Sequence, residues 1–132
     1  MDNDKLFKKL RLQPEQNLLI VNLPEQFTRI FNGIGFDSSP NVTGNSQYDF
    51  VLLFARSESE LKSLLNQVKD YVKYDGLFWV SYPKLTSDIE SDLKREVVWK
   101  AMDAVSLKTV TQIAIDETWS AMRGRPKEQA SK

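Results

Sequence analysis

Residues 48–84, YDFVLLFARSESELKSLLNQVKDYVKYDGLFWVSYPK, form the unit from which the rest of the chain can be placed. Apolar runs at residues 50–54 and 77–82 lie near its two ends, and each predicts a buried strand. Between them, Ser57 and Glu60 form a capping box that opens a helix. The apolar face of this helix recurs every three or four residues, at Leu61, Leu64, Leu65, Val68 and Val72. The stretch therefore predicts one complete β-α-β unit.

The lengths of these elements predict that the two strands are parallel. A helix of about 18 residues spans roughly 27 Å, whereas a strand of five or six residues covers about 17–20 Å. The helix is therefore long enough to return the chain to the end of the sheet where the first strand began. Asp75 and Gly76 then supply the turn into the second strand. A right-handed crossover is the strong expectation for such a pair.

The chain before this unit predicts a helix, a strand and a polar loop. Residues 1–13 form an amphipathic helix whose apolar face holds Leu6, Phe7 and Leu10. Residues 18–21 (LLIV) are typical of a strand that is buried on both faces. Pro24 opens a short helix that runs through Phe27, Ile30 and Phe31. The polar stretch at residues 35–47 holds at most a short strand at residues 41–43.

The chain after this unit predicts a helix and a hairpin. A second capping box, at Ser87 and Glu90, accompanies apolar residues that are spaced four apart: Ile89, Leu93, Val97, Ala101 and Val105. Strands at residues 109–115 and 119–123 are so close in sequence that only an antiparallel hairpin can join them. Residues 127–132 are predicted to be a frayed tail.

This element order predicts a single α/β domain over residues 1–132. Helices lie on both faces of the sheet, which gives three layers. The sheet is mostly parallel and ends in an antiparallel β-hairpin. A chain of 132 residues is expected to bury roughly two-thirds of the surface that its unfolded form exposes.

The composition excludes several kinds of site. The chain has no cysteine, which excludes disulfides, thiolate nucleophiles and cysteine zinc sites. It has no histidine, which removes the usual general base near neutral pH and the commonest metal ligand. The acidic string Asp88, Glu90 and Asp92 lacks the glycine and the distal glutamate of a calcium loop. We therefore predict no metal and no cofactor.

Charge and hydropathy bear on the partners. Lys+Arg and Asp+Glu balance at 18 each, and the basic patch at residues 5–11 is interpreted as the solvated face of a helix. We therefore predict no nucleic-acid partner. The apolar runs are too short to span a bilayer, and the polar residues 1–9 lack the core of a signal peptide. The expectation is a cytoplasmic protein without a membrane partner, while a homo-oligomer or a protein partner stays open.

Three segments resemble a family of small uncharacterised bacterial proteins with no assigned activity: YDFVLLFARSESEL, YDGLFWVSYPKLTSDIESDLKRE and AIDETWSAMR. The resemblance covers most of residues 17–126. It fails at Gly124, where the family usually has an aromatic residue. The element order with its final hairpin also resembles the second half of the class I S-adenosylmethionine-dependent methyltransferase fold. The resemblance implies a reduced, Rossmann-like version of that methyltransferase-like sheet.

The methyltransferase fold binds its cofactor through a glycine-rich turn after the first strand and an acidic residue after the second. Here residues 22–27, NLPEQF, contain no glycine. About fifteen residues separate the helix at Pro24 from Tyr48, too few for two more strands and a helix. These departures argue against a cofactor-competent methyltransferase, and residual S-adenosylmethionine binding is kept as an alternative.

In open α/β sheets, ligands bind beyond the carboxyl ends of the strands. We place the strands in the order 18–21, 50–54, 77–82, 119–123 and 109–115. The carboxyl ends and the hairpin then collect seven residues, here called the carboxyl rim: Asn22, Arg56, Ser57, Lys84, Asp116, Glu117 and Trp119. These residues also have structural interpretations, because Ser57 caps a helix, Trp119 suits a core, and Lys84 with Glu117 suits a surface ion pair.

Three functional hypotheses follow. In the first, the chain is a non-catalytic binding or interaction domain that recognises an anionic small molecule or a protein partner at the carboxyl rim. Arg56 and Lys84 lie beside Trp119 in this hypothesis. In the second, the chain is a small enzyme with Lys84 as base or electrostatic stabiliser and Asp116 or Glu117 as acid-base partner. The third is residual S-adenosylmethionine binding. The missing catalytic residue types favour the first.

Overall fold

The computed structural model describes residues 2–13, 15–40 and 47–130. Within them the α-helices are α1 (Asp2–Leu10), α2 (Glu58–Val68), α3 (Arg95–Asp103) and α4 (Lys127–Ala130). The strands are β1 (Leu18–Val21), β2 (Tyr48–Phe54), β3 (Val72–Pro83), β4 (Leu107–Ala114) and β5 (Trp119–Pro126). Short 3-10 helices lie at Glu25–Phe27 and Lys69–Tyr71. The short strand predicted at residues 41–43 lies outside the described residues.

Within these residues the five strands form one sheet in the order β1-β2-β3-β5-β4, which confirms the predicted order. β1, β2 and β3 pair in parallel, while β5 is antiparallel to both β3 and β4. Two of these four pairings are therefore antiparallel, so the prediction of a mostly parallel sheet is only partly confirmed. The antiparallel hairpin at the end of the chain is confirmed.

Helices cover both faces of the sheet, which confirms the three layers. On one face α2 and α3 pack their apolar residues against β2 and β3, including Leu61, Leu65, Val98, Met102, Val51 and Val80. On the other face α1 and the first 3-10 helix pack against the same strands, including Leu6, Leu10, Phe27, Phe50, Leu52 and Trp79. Each fully buried side chain of this size contributes about 1.5–3 kcal/mol to stability. β1 and β2 read as continuous apolar runs because successive residues alternate between two covered faces.

The helix that follows Ser57 is shorter than predicted. Ser57 caps it as expected, with its hydroxyl accepting from the Glu60 amide at 3.2 Å. The α-helix ends at Val68, and a 3-10 turn leads directly into β3, which begins at Val72 instead of residue 77. Val72 is therefore a strand residue and not the last member of the helical apolar face.

Asp75 and Gly76 lie inside β3 and do not form the predicted turn before it. The pairing of β3 with β2 jumps from Val72 to Leu77 while β2 advances only two residues, so the intervening residues bulge. Asp75 takes a positive φ of 58°. A Cβ atom on Gly76 would lie 3.0 Å from the Lys73 carbonyl oxygen, so the close backbone approach favours glycine here.

The capping box predicted at Ser87 and Glu90 is wrong. The Ser87 hydroxyl donates to the Lys84 carbonyl at 2.8 Å, which closes a turn after β3. The helix begins only at Arg95, so Ile89 and Leu93 belong to the preceding loop. The loop's own hydrogen bonds replace the expected first turn of helix.

The helix predicted after Pro24 is also shorter than expected and is a 3-10 helix that ends at Phe27. The Thr28 hydroxyl donates to the Glu25 carbonyl at 2.9 Å, and the Thr28 amide donates to the same oxygen. The Glu25 carbonyl thus accepts both bonds from a residue three positions later. This spacing is that of a 3-10 turn, whereas an α-helix joins residues four positions apart.

Gly124, the position at which the family resemblance fails, is closely surrounded by other side chains. A Cβ atom at this position would lie 2.4 Å from Cε of Met102 and 3.3 Å from Cβ of Leu107. The space that an aromatic side chain would need is therefore filled from α3 and from the start of β4.

Candidate functional site

The structure brings all four parts of the carboxyl rim to one end of the sheet. Asn22 follows β1, Arg56 and Ser57 follow β2, and Lys84 follows β3. Asp116 and Glu117 lie in the β4–β5 turn, and Trp119 begins β5. The Lys84 amide donates to the Thr118 carbonyl at 2.7 Å, which joins the end of β3 to that turn.

Arg56 and Trp119 contact each other at this rim. The Arg56 guanidinium carbon lies 5.8 Å from the centroid of the Trp119 ring, within cation–π range. Trp119 is 0% exposed, and its ring meets Phe54 edge to face at 5.3 Å between centroids. Arg56 is exposed. The tryptophan is therefore a core residue that holds a surface arginine above it, and it is not itself open to a ligand.

Asp116 has a structural role in the β4–β5 turn. Its Oδ1 accepts from the backbone amides of Thr118 and Trp119, both at 2.8 Å. Its Oδ2 accepts from Nε2 of Gln26 at 2.9 Å. Both carboxylate oxygens are thus used by the fold, and proton transfer at Asp116 would require breaking these bonds. Glu117 is exposed and forms no ion pair with Lys84.

The 3-10 helix Glu25–Phe27 lies across the rim, which sequence reasoning missed. Gln26 comes from the segment after β1, yet its amide reaches Asp116 at the opposite side of the sheet. Phe27 packs beside Phe54 with 5.7 Å between ring centroids, and Phe54 in turn contacts Trp119. The chain itself therefore closes the α1 side of the carboxyl rim. No local signal in the sequence joins Gln26 to a partner 90 residues away.

The backbone amides at the amino end of α2 donate to side chains of the protein. Ser57 caps it, and Oδ1 of Asp92 accepts from the Glu58 amide at 2.8 Å. Oε1 of Glu60 reaches back to the Arg56 amide at 2.8 Å. Asp92, one of the three acids weighed as a metal site, is therefore a helix cap contributed by a distant loop.

Asn22 and Lys84 complete the rim. Asn22 is exposed and takes a positive φ of 61°. Its side-chain Nδ2 donates to the Phe54 carbonyl at 3.4 Å. Lys84 is half-buried beside a cavity of about 320 Å³. Asp88 and Glu90 line the same cavity, so its charge is mixed. Neither Arg56 nor Lys84 has an ion-pair partner within the described residues.

Two buried polar atoms lie beneath the rim. Nε1 of Trp119 and Oγ of Ser81 are buried and have no hydrogen-bond partner within the residues that the structure describes. Burial of such groups costs free energy. By contrast, Nε1 of Trp79 donates to the Leu10 carbonyl at 2.9 Å, which agrees with the buried strand predicted at residues 77–82.

The described residues have neither an acidic metal site nor a helix able to cross a membrane. They contain no cluster of three or more acidic residues placed to hold a metal ion. In the same ranges, no helix combines the length and the apolar character that crossing a membrane requires.

The comparisons with known proteins place this geometry in a fold. No protein-family model matches the chain, and a search of the curated proteins finds no match. The resemblance to a family of small bacterial proteins therefore stays a prediction.

Solved structures match over nearly the whole chain. A SAM-dependent methyltransferase from Aquifex aeolicus is similar at a TM-score of 0.62 and 10% identity, over 93% of this chain and 88% of that one. Burkholderia thailandensis 1,6-didemethyltoxoflavin-N1-methyltransferase, with bound S-adenosylhomocysteine, is similar at 0.58 and 10%, over 95% and 76%. Streptomyces coelicolor geranyl diphosphate C-methyltransferase is similar at 0.60 and 8%, over 93% and 78%. At such identities the likeness establishes the fold, and the chain has the class I SAM-dependent methyltransferase-like fold that the resemblance implied.

Proposed function

We propose that this methyltransferase-like domain is a non-catalytic binding domain that recognises an anionic group at its carboxyl rim, through Arg56 and Lys84. The observation that carries the proposal is the hydrogen bond from Gln26 to Asp116, which spans the rim at 2.9 Å. In open α/β folds this end of the sheet is where ligands bind. Here part of it is occupied by the protein's own 3-10 helix, while two cationic side chains stay on the outside.

The charges on the rim support an anionic ligand. Arg56 is exposed and fixed above the Trp119 ring at 5.8 Å. Lys84 follows the neighbouring strand and is bound through its backbone to Thr118, the residue before that tryptophan. A guanidinium and an ammonium group that lack acidic partners within the described residues suit a phosphate or a carboxylate. Asp88 and Glu90 would repel an anion from the cavity beside Lys84. We therefore place the anionic ligand between Arg56 and Lys84.

Residual S-adenosylmethionine binding is the second candidate. The observation that favours it is the positive φ of Asn22, directly after β1, where the related fold needs a tight turn against its cofactor. Asparagine tolerates that conformation better than other non-glycine residues, but it keeps a Cβ atom that glycine lacks. The acid-base hypothesis for Lys84 with Asp116 or Glu117 stays a prediction, and the hydrogen bonds of Asp116 count against its share in it.

Thermal unfolding with a panel of ligands tests both candidates. The panel contains ATP, inorganic phosphate, S-adenosylmethionine and S-adenosylhomocysteine. A ligand at one hundred times its Kd stabilises the folded state by about 2.7 kcal/mol. We expect stabilisation by a phosphate-bearing compound, and we expect the Arg56→Ala/Lys84→Ala double variant to lose it.

A matched control removes two lysines from the exposed face of α1, as Lys5→Ala/Lys9→Ala. This variant changes the net charge equally and should retain the response. Stabilisation only by S-adenosylmethionine or its demethylated product, with heat in calorimetry, would favour the second candidate. No stabilisation of the wild-type chain by any of these compounds, or an equal response in both double variants, would rule out recognition through Arg56 and Lys84.

A further inference from the structure

β4 forms an open edge of the sheet. Within the described residues it pairs with β5 on one side, and no strand lies on its other side. It is eight residues long; Leu107, Thr109 and Ile113 are half-buried, and its other five side chains are exposed. The outward backbone groups of such a strand form a template for pairing with another strand.

The residues of β4 favour such pairing. Four of them are β-branched, which suits a strand: Thr109, Val110, Thr111 and Ile113. Lys108 is the only charged residue of the strand and lies near its start. Proteins protect open edges with central lysines, prolines or bulges. The pairing with β5 does bulge between Thr109 and Thr111, but the extra residue is Val110, an apolar side chain that is 40% exposed.

An apolar groove adjoins this edge. It has a volume of about 580 Å³ and lies between α3 and β4, with Trp99 and Val110 among its lining residues. Trp99 is 50% exposed. An exposed tryptophan beside an exposed valine and an unpaired strand is typical of an interaction surface, where tryptophans are enriched as anchors.

The charges beside the groove are self-complementary. Arg95 and Glu96 both line it, and neither forms an ion pair within the part of the chain that the structure describes. In a dimer with a twofold axis, every contact occurs twice. If one residue of the first copy contacts a second residue of the partner copy, the second residue of the first copy contacts the first residue of the partner copy. If the axis passes near the middle of β4, the grooves of the two copies adjoin, and Arg95 of one copy can then pair with Glu96 of the other. The same axis also places the two Lys108 side chains at opposite ends of the paired strands, about 20 Å apart, where they do not repel strongly.

We propose that a second copy of this chain pairs with β4 edge to edge. The two β4 strands run antiparallel about a twofold axis near Thr111, and together they extend the two sheets into one. Thr109, Val110 and Thr111 supply the cross-strand pairs, which favour β-branched residues. Trp99 of each copy is covered in the dimer. This proposal is independent of the carboxyl rim, since β4 lies at the side of the sheet and the rim at its end.

Sedimentation velocity over about 1 µM to about 1 mM tests the proposal. We expect the wild-type chain to shift from monomer to dimer within this range. Val110→Lys places a charge on the edge, and Trp99→Ala removes the anchor, so each should raise the dimer dissociation constant at least about tenfold. Leu85→Lys is the matched control, because Leu85 is also apolar and exposed, but lies in the loop after β3. It should leave the dissociation constant unchanged.

The absence of native cysteine allows a second, independent test. A single Thr111→Cys variant should form a disulfide-linked dimer on mild oxidation, because the axis brings the two introduced thiols together. Asn66→Cys, at an exposed position on α2, should remain monomeric on a non-reducing gel at the same concentration. This pair decides the question even where Val110→Lys does not fold.

Three results would overturn the proposal. The first is a wild-type chain that stays monomeric over the whole concentration range. An extended segment of another protein would then be the better candidate to pair with β4. The second is a dimer whose affinity is equal in wild type, Val110→Lys and Trp99→Ala. The third is equal crosslinking of the Thr111→Cys and Asn66→Cys variants.

Discussion

The two outer strands of the sheet are completed differently. β1 is four residues long and buried throughout, and the backbone of Asp37 bonds to it from outside. The Asp37 amide donates to the Leu18 carbonyl, and the Ile20 amide donates to the Asp37 carbonyl, both at 2.9 Å. β4 is twice as long and carries half-buried and exposed side chains. One side of this sheet is therefore closed by the chain itself, while the other side keeps unpaired backbone groups to which a further strand can bond.

The loss of stability should differ most when an apolar side chain is truncated to alanine at each edge. Leu19 in β1 is 0% exposed, whereas Val110 in β4 is 40% exposed. Leu19→Ala should lower the free energy of unfolding by about 2–5 kcal/mol, because it leaves a cavity in the core. Val110→Ala should change it by less than about 0.5 kcal/mol in the monomer. Urea unfolding followed by circular dichroism at low protein concentration measures both, and similar losses would show that the edges do not differ in burial.

A smaller loss of stability should follow from removing a hydrogen bond of Asp37, the residue whose backbone pairs with the outer side of β1. The hydroxyl of the buried Tyr48 donates to the carboxylate of Asp37, the residue that bridges to this strand. Tyr48→Phe should therefore lower the free energy of unfolding by about 1.5–3 kcal/mol, the usual range for a hydrogen bond to a charged group. Hydrogen exchange at the Ile20 amide should become faster in this variant.

Tyr74→Phe is the control for this change. The Tyr74 hydroxyl also donates to a carboxylate, that of Glu128, but Tyr74 is 65% exposed. Its loss should stay within about 0.5 kcal/mol. An equal effect of the two substitutions would mean that the Asp37 bridge contributes no more than a surface contact.

The smallest expected effect concerns β5, the strand that joins β4 to the rest of the sheet. The Arg125 guanidinium bonds to the carboxylate of Asp75 in β3 at 2.6 Å and 2.9 Å, and holds the pKa of that carboxyl below its usual value of 3.8. A lowered folded-state pKa contributes stability that is present above pH 3.8 and is lost as the pH falls through the folded value. Because both side chains are about one-third exposed, Asp75→Asn should cost at most about 1 kcal/mol at pH 7.

The difference between the wild type and the Asp75→Asn variant should shrink as the pH falls below 3.8. Urea unfolding at a series of pH values checks this. Asp70→Asn, at an exposed position without an ion pair in the described residues, is the matched control for the loss of one carboxylate. A difference for Asp75→Asn that is the same at pH 7 and at pH 3 would mean that the ion pair does not contribute.

The sequence predicted two buried strands because residues 18–21 and 50–54 are apolar throughout, and it predicted the hairpin because the gap between β4 and β5 is short. It did not predict features that depend on non-local contacts. The Asp75–Gly76 bulge reads as an ordinary turn, since only the pairing with β2 shows that the strand continues through it. The 3-10 helix after Pro24 depends on one threonine hydroxyl that competes for a carbonyl.

The same limit applies to the carboxyl rim. Its members could be collected from strand order alone, because parallel strands end on one side of the sheet. The state of each member depends on partners far away in sequence. Asp116 looks like a free acid until Gln26 is placed beside it, and Trp119 looks available until Arg56 and Phe54 cover its ring. Distances of this kind carry no periodic signal in a single sequence.

The distribution of the three tryptophans has a practical consequence. Trp79 and Trp119 are buried in the sheet, while Trp99 is half-exposed beside the open edge. Indole emission shifts to shorter wavelength when water leaves its surroundings, so an event at this edge changes the fluorescence of Trp99 and leaves the other two unaffected. The chain thus contains a native optical probe at the surface where its association is proposed.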